Sequence, residues 1–230
     1  MPAGQNHAED IRLAAYDEPL APGAQLTAKK KSLHASERDT GRVQQARAEY
    51  RAGIAGLELS RLPFIDESGV KLALTRLYGR APRGERAVGS TPIHYGQNLT
   101  LIGALGSGGL EALLWIEGAT DGEVFRADTE QILCPTLEPG DIVVMDNVGA
   151  PKVSGIREAI EACGAKLISL PPYAPDLSPM ERCWAKIKTA LRGIGARTRR
   201  KLERAIKRAI ATITESDALA WFAQCGYKLN

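Results

Sequence analysis

The chain has 230 residues, 44% of them hydrophobic and 25% charged, with a net charge of only +3. This is an ordinary globular composition, so overall charge alone does not argue for a nucleic-acid partner. No apolar run approaches the ~18 residues of a membrane span, and the early acids of MPAGQNHAEDIRLAAYDEPLAPG read as no signal peptide. Only three histidines (His7, His34, His94) and four widely spaced cysteines (Cys134, Cys163, Cys183, Cys225) are present. They argue against a Cys/His zinc cluster and a Ser-His-Asp triad, so a metal here would be held by carboxylates. The cysteines read as reduced space-fillers of a cytoplasmic protein.

Residues 1–26 lack steady periodicity and read as disordered or unrelated sequence. Residues 27–58 are a basic linker, AKKKSLHASERD, and an amphipathic helix over 40–57. Val43, Ala46, Tyr50, Ile54 and Leu57 recur in that helix at helical spacing. From residue 59 to 230 the pattern becomes that of an α/β domain. RLPFIDESG (61–69) predicts a short buried strand that ends in acids and a Ser-Gly turn. Residues 93–118 predict a hairpin turning at GSGG, and 121–137 a helix closed by Pro135. DIVVMDN (141–147) is a continuous apolar run, hence a strand buried on both faces. A helix over 154–164 stops at Gly164, and AKLISL (165–170) is another strand. Helices follow over 179–192, about 198–213, and 217–227. The order strand, hairpin, helix, strand, helix, strand, helix predicts a mixed sheet flanked by helices.

Three acids fall at element ends. If the strands on either side of helix 154–164 are parallel neighbours, both end at one edge of the sheet. Asp146 then sits at that edge, and the rigid turn PPYAPDLSP launches a helix there with Glu181 in its first turn. In open α/β sheets, functional groups gather at such edges. Asp66, at the end of its own strand, could join them. Each acid has a structural alternative. Ser178 and Glu181 of SPME fit a capping box, Asp146-Asn147 favours a turn, and Asp66 could cap one. Taken together, three converging carboxylates would repel one another without a cation, and oxygen donors suit Mg²⁺ or Mn²⁺. Cations follow Glu181: Arg182, Lys186, Lys188, Arg192, Arg197, Arg199, Arg200, Lys201, Arg204, Lys207 and Arg208 are offset within 182–208 only by Glu203. This run reads either as a solvated face or as a phosphate-backbone track. Arg80, Arg83 and Arg86 of YGRAPRGER admit the same two readings.

PFIDESG, TRLYGRAPRGER, GDIVVMDN and LPPYAPDLSPMERCWAKIKTALR resemble the catalytic domain of bacterial insertion-sequence transposases of the mariner-like superfamily. These are Asp-Asp-Glu enzymes with 34 residues between the last two acids, the spacing from Asp146 to Glu181. The resemblance implies an RNase H-like fold, two divalent metal ions (Mg²⁺ or Mn²⁺), and cleavage and strand transfer of DNA. It makes Asp66, Asp146 and Glu181 the metal ligands and catalytic groups. Ser178 would support them; Glu67 and Asn147 read either as further support or as an exposed acid and a turn Asn. Of the basic residues, Arg80, Arg83, Arg182, Lys186, Lys188, Arg192, Arg199 and Arg200 would be the DNA contacts. It further implies a cytoplasmic, nucleoid-associated protein, dimeric when two transposon ends are paired, with an upstream DNA-binding half supplied by another chain. Pro151 stands where the family commonly has His, and Ser178 where it has Asn. The alternatives are a non-catalytic DNA-binding remnant and an RNase H-like nuclease that cuts without joining.

Overall fold

The computed structural model describes residues 35–94, 96, 98–146 and 150–228, the last stretch by backbone alone over 150–154. Residues 1–34 and Asn147 lie outside the described residues, and so does the side chain of Pro151.

Among the described residues five strands form one sheet in the order β3-β2-β1-β4-β5. They are β1 (Phe64–Val70), β2 (Leu99–Gly106), β3 (Gly109–Glu117), β4 (Ile142–Met145) and β5 (Lys166–Ser169). β1, β2 and β3 pair antiparallel, with Ser107 and Gly108 turning the predicted hairpin, while β1–β4 and β4–β5 are parallel. β4 lies between two parallel neighbours and alternates its side chains between two cores. Val144 joins one core, whereas Val143 and Met145 join the other. This is why its run is apolar throughout, as expected of a strand covered on both faces.

Among the described residues six α-helices cover the faces: α1 (Gly41–Ile54), α2 (Gly122–Asp128), α3 (Ala150–Ala162), α4 (Pro179–Ile194), α5 (Arg199–Ile210) and α6 (Glu215–Gln224). Phe125 of α2 and Ile156 and Ile160 of α3 fill one core. Met180, Trp184, Ile187 and Leu191 of α4 fill the other with Leu202 and Ile206 of α5 and Phe222 of α6. Phe64, Phe222 and Tyr227 stack edge to face, with centroids 5.4–5.6 Å apart, and fasten the C-terminal helix to the start of β1. α1 packs on the same unit, with Val43 buried and Tyr50 and Ile54 against the core.

Two expectations need correction. The predicted helix over 121–137 is α-helical only to Asp128, then winds as a π turn (Thr129–Leu133) and a 3₁₀ turn (Cys134–Thr136). The other concerns β1, which does not stop at Ser68-Gly69. It continues because Ser68, Gly69 and Val70 pair with Leu101, Thr100 and Leu99 of β2.

Candidate active site

β1 and β4 run side by side with Ile65 opposite Met145 as the last parallel pair. Asp66 and Asp146 are the next residues on each strand. Asp66 is therefore in mid-strand with respect to β2, yet at the point where β1 and β4 part. β5 ends at the same edge, and the Leu170 amide donates to Met145 O at 2.8 Å, so the chain enters its proline-rich turn beside Asp146. The turn delivers α4, and Asp66, Asp146, Ser178 and Glu181 line one cleft of about 280 Å³.

The turn itself is held from outside. Tyr173 has φ +55, a left-handed conformation uncommon for a residue other than glycine, asparagine or aspartate. Asp176 accepts a forked pair of hydrogen bonds from Arg47 of α1, at 3.1 and 2.6 Å, and a third from Arg38 at 3.2 Å. Partial burial would raise the Asp176 acid, but the hydrogen bonds and charges of Arg47 and Arg38 hold it below the usual range. The Leu177 carbonyl accepts from Tyr227 Oη at 2.8 Å, and that hydroxyl meets Tyr50 Oη at 2.9 Å. Burial pushes Tyr50 up to about 12 and Tyr227 upward as well, so both remain neutral donors.

The capping-box alternative for Glu181 is not realised. Ser178 occupies the N-cap position without a side-chain cap bond, and its amide donates back to Pro175 O at 3.2 Å. Glu181 is exposed at the mouth of the cleft. The chain does contain a capping box, Thr214 with Asp217, at the start of α6.

Asp66 is the most perturbed of the three acids. Its Oδ1 accepts from the Glu67 amide at 2.8 Å and its Oδ2 from Trp184 Nε1 at 3.0 Å. Burial raises it, the Glu67 amide opposes, and the Glu181 and Asp146 carboxylates add to the rise, leaving it at about 7. Trp184 is a residue that sequence reasoning missed. Lying three residues after Glu181, it shares that side of α4, a spacing that could have suggested it. Gly103 makes room for it. Gly103 is opposite Asp66 in the β1–β2 register, and a Cβ there would meet Met180 Cε at 2.9 Å and Trp184 Cη2 at 3.1 Å. The Glu67 side chain points to the other face of the strand, as alternation requires, and does not line the cleft. Its contribution is its amide.

The donor set fits a hard divalent cation: carboxylate oxygens, one of them on an acid raised by burial and by its two acidic neighbours. Among the described residues no three His, Cys, Asp or Glu side chains are grouped as ligands of one ion. Mg²⁺ commonly takes only one or two carboxylates and completes its shell with water and substrate phosphate, so an open cleft of this kind suits it.

The structure divides the basic run. Lys186 donates to Asp217 at 2.5 Å and to Thr212 O, and Arg199 pairs with Glu117 and Glu203, each at 2.8 Å. These two are committed within the fold. Arg182 and Arg200 are exposed, Lys188 and Arg192 half-buried, and Arg80 and Arg83 exposed between β1 and β2. Arg197, Lys201, Arg204 and Arg208 line a separate cavity of about 330 Å³ that has no acid in its lining.

The family profile described as DDE superfamily endonuclease matches residues 61–203, well over half of the chain and inclusive of all three acids. The chain belongs to the DDE superfamily endonucleases. This DDE domain also superposes on a Mos1 transposase paired-end complex with the left transposon end (TM-score 0.68, 16% identity) and on a Mos1 mariner paired-end complex with Mn (TM-score 0.70, 15% identity). Each match covers 89% of this chain and 64% of that one. The chain thus spans about 64% of the length of those Mos1 chains. The Mos1 catalytic domain with Raltegravir and Mn matches at TM-score 0.64 and 13% identity, covering 84% of this chain and 92% of that one. No curated protein matches in sequence. At these identities the likeness is one of fold. The DDE domain is RNase H-like, a mixed five-stranded sheet flanked by helices. None of its described helices is long and apolar enough to cross a membrane.

Proposed function

We propose that this DDE domain is the catalytic part of an insertion-sequence transposase of the mariner-like superfamily, cleaving transposon ends and joining the freed 3′ hydroxyl to target DNA. The observation that carries this reading is the meeting of Asp66, Asp146 and Glu181 at one cleft, from three elements far apart in sequence. These three carboxylates would hold the divalent ions, two in number. Mg²⁺ or Mn²⁺ held there would supply charge stabilisation at a phosphoryl oxygen and would acidify the attacking water or 3′ hydroxyl.

The chain's own residues do the rest. The Glu67 amide and the Trp184 indole orient the Asp66 carboxylate and leave its remaining lone pairs to the cleft. The proline-rich turn fixes Glu181. Exposed cations on α4 and α5 and between β1 and β2 would bind backbone phosphates, a contribution that weakens with salt. Two of the Mos1 structures are paired-end complexes, one with the left transposon end, which supports reading the partner as paired DNA ends. In this reading a dimer holds them and an upstream DNA-binding half recognises them.

The test is a joining assay with a labelled, pre-cleaved 3′ end, a target plasmid and Mn²⁺. Wild type should give joined product that is lost in Asp146→Asn. Cutting without joining would reduce the domain to a nuclease, and joining that survives Asp146→Asn would refute the assignment of the site.

A further inference from the structure

We infer that Arg47 and Asp176 are positioning residues through which α1 sets where the Glu181 carboxylate stands. This rests on the reading of Glu181 as part of the metal site.

The start of α4 has no side-chain cap of its own, so its position is set by the turn before it. That turn contains Tyr173 at φ +55, a conformation that persists where surrounding contacts impose it. Contacts from α1 hold that turn at Asp176 and Leu177. Arg47 is only 4% exposed and gives both guanidinium nitrogens to Asp176, a geometry that fixes orientation as well as distance. Tyr50, nearly one helical turn on, reaches the same turn through Tyr227 and the Leu177 carbonyl. A buried guanidinium costs stability unless it is paired, so Arg47 and Asp176 lock each other. Asp176 lies five residues before Glu181. Between them Pro179 removes freedom, and Leu177, Pro179 and Met180 are buried. A shift of Asp176 is therefore carried into the first turn of α4 and not absorbed by the loop. α1 belongs functionally to the catalytic unit.

Asp176→Asn is the first variant, since its side chain is 37% exposed and the protein should still fold. Arg47→Lys, which keeps the charge and loses the fork, is the second. Hydrogen exchange in metal-free protein should rise roughly tenfold, the scale of one hydrogen bond to a charged group, for amides of 171–182 and not for β4 or α5. Unchanged protection of 171–182, or an equal rise in β4 and α5, would overturn the inference. In a Mn²⁺ titration followed by thermal shift, both variants should need several-fold more Mn²⁺ for half-saturation. Half-saturation equal to wild type would also overturn the inference. A wild type that shows no Mn²⁺ response would sink the metal reading instead, and the exchange result alone would then decide the clamp.

Discussion

Replacing Asp66 with Asn should stabilise the metal-free protein at alkaline pH while abolishing its response to metal. Burial and two neighbouring carboxylates raise the Asp66 acid from 3.8 to about 7. The folded state therefore holds a proton that the unfolded chain has already lost. The stability this carries is complete below about pH 3.8 and drains away as pH climbs through about 7. At about 1.4 kcal/mol per pKa unit, wild type should lose on the order of 2–3 kcal/mol between about pH 5 and pH 8 that Asp66→Asn does not lose. Asparagine has a static cost, because one of the two donors now bonded to Asp66, the Glu67 amide or the Trp184 indole, must face its NH₂ group. That cost is about 1–3 kcal/mol and does not vary with pH, so the difference between the two proteins isolates the ionisation. Urea melts of both proteins in EDTA at several pH values would measure it. Parallel stability–pH curves would refute the claim that ionising Asp66 costs stability when metal is chelated.

Other outcomes can be checked in the same preparations. Glu181→Gln should leave the melting temperature nearly unchanged, within the ~0.5 kcal/mol usual for surface sites, because Glu181 closes no capping box; a loss of several degrees would restore the structural reading. Gly103→Ala should cost about 1–3 kcal/mol by overpacking against Met180 and Trp184, measured by denaturant melts. Trp184→Phe keeps an aromatic ring but removes the donor to Asp66 and part of a buried side chain. It should cost some stability and also weaken Mn²⁺ binding, measured at a temperature where both proteins are folded. Joint neutralisation of Lys201, Arg204 and Arg208 should flatten the salt dependence of DNA binding by about one unit of slope for each phosphate that is no longer neutralised. Lys186→Ala should lower stability and leave that slope alone.

The parts of this protein that local sequence specifies were legible, and those set by distant partners were not. β4 announced itself because a strand between two parallel neighbours must be apolar on both faces, and the junction with β5 put Asp146 and the turn before Glu181 at one edge. Asp66 was placed at a strand end because Ser68-Gly69 looks like a turn; only pairing with Leu99–Leu101 keeps that segment extended. SPME and TESD carry the same capping grammar, yet only Thr214–Asp217 closes a box, since the turn before Ser178 takes up its amide. The helical pattern over 40–57 picks out Val43, Ala46, Tyr50, Ile54 and Leu57 and gives Arg47 no role. Its burial depends on Asp176, 129 residues away, and no local pattern encodes that. Lys186 and Arg199 joined the phosphate track on charge alone, although each has an acidic partner on another element.

The most direct measurement is nicking of supercoiled plasmid by wild type and Glu181→Gln at matched thermal stability, with and without Mn²⁺. The account predicts Mn²⁺-dependent nicking by wild type and none by the folded Gln variant. Equal nicking by both proteins, or an intact plasmid with wild type and Mn²⁺, would contradict it.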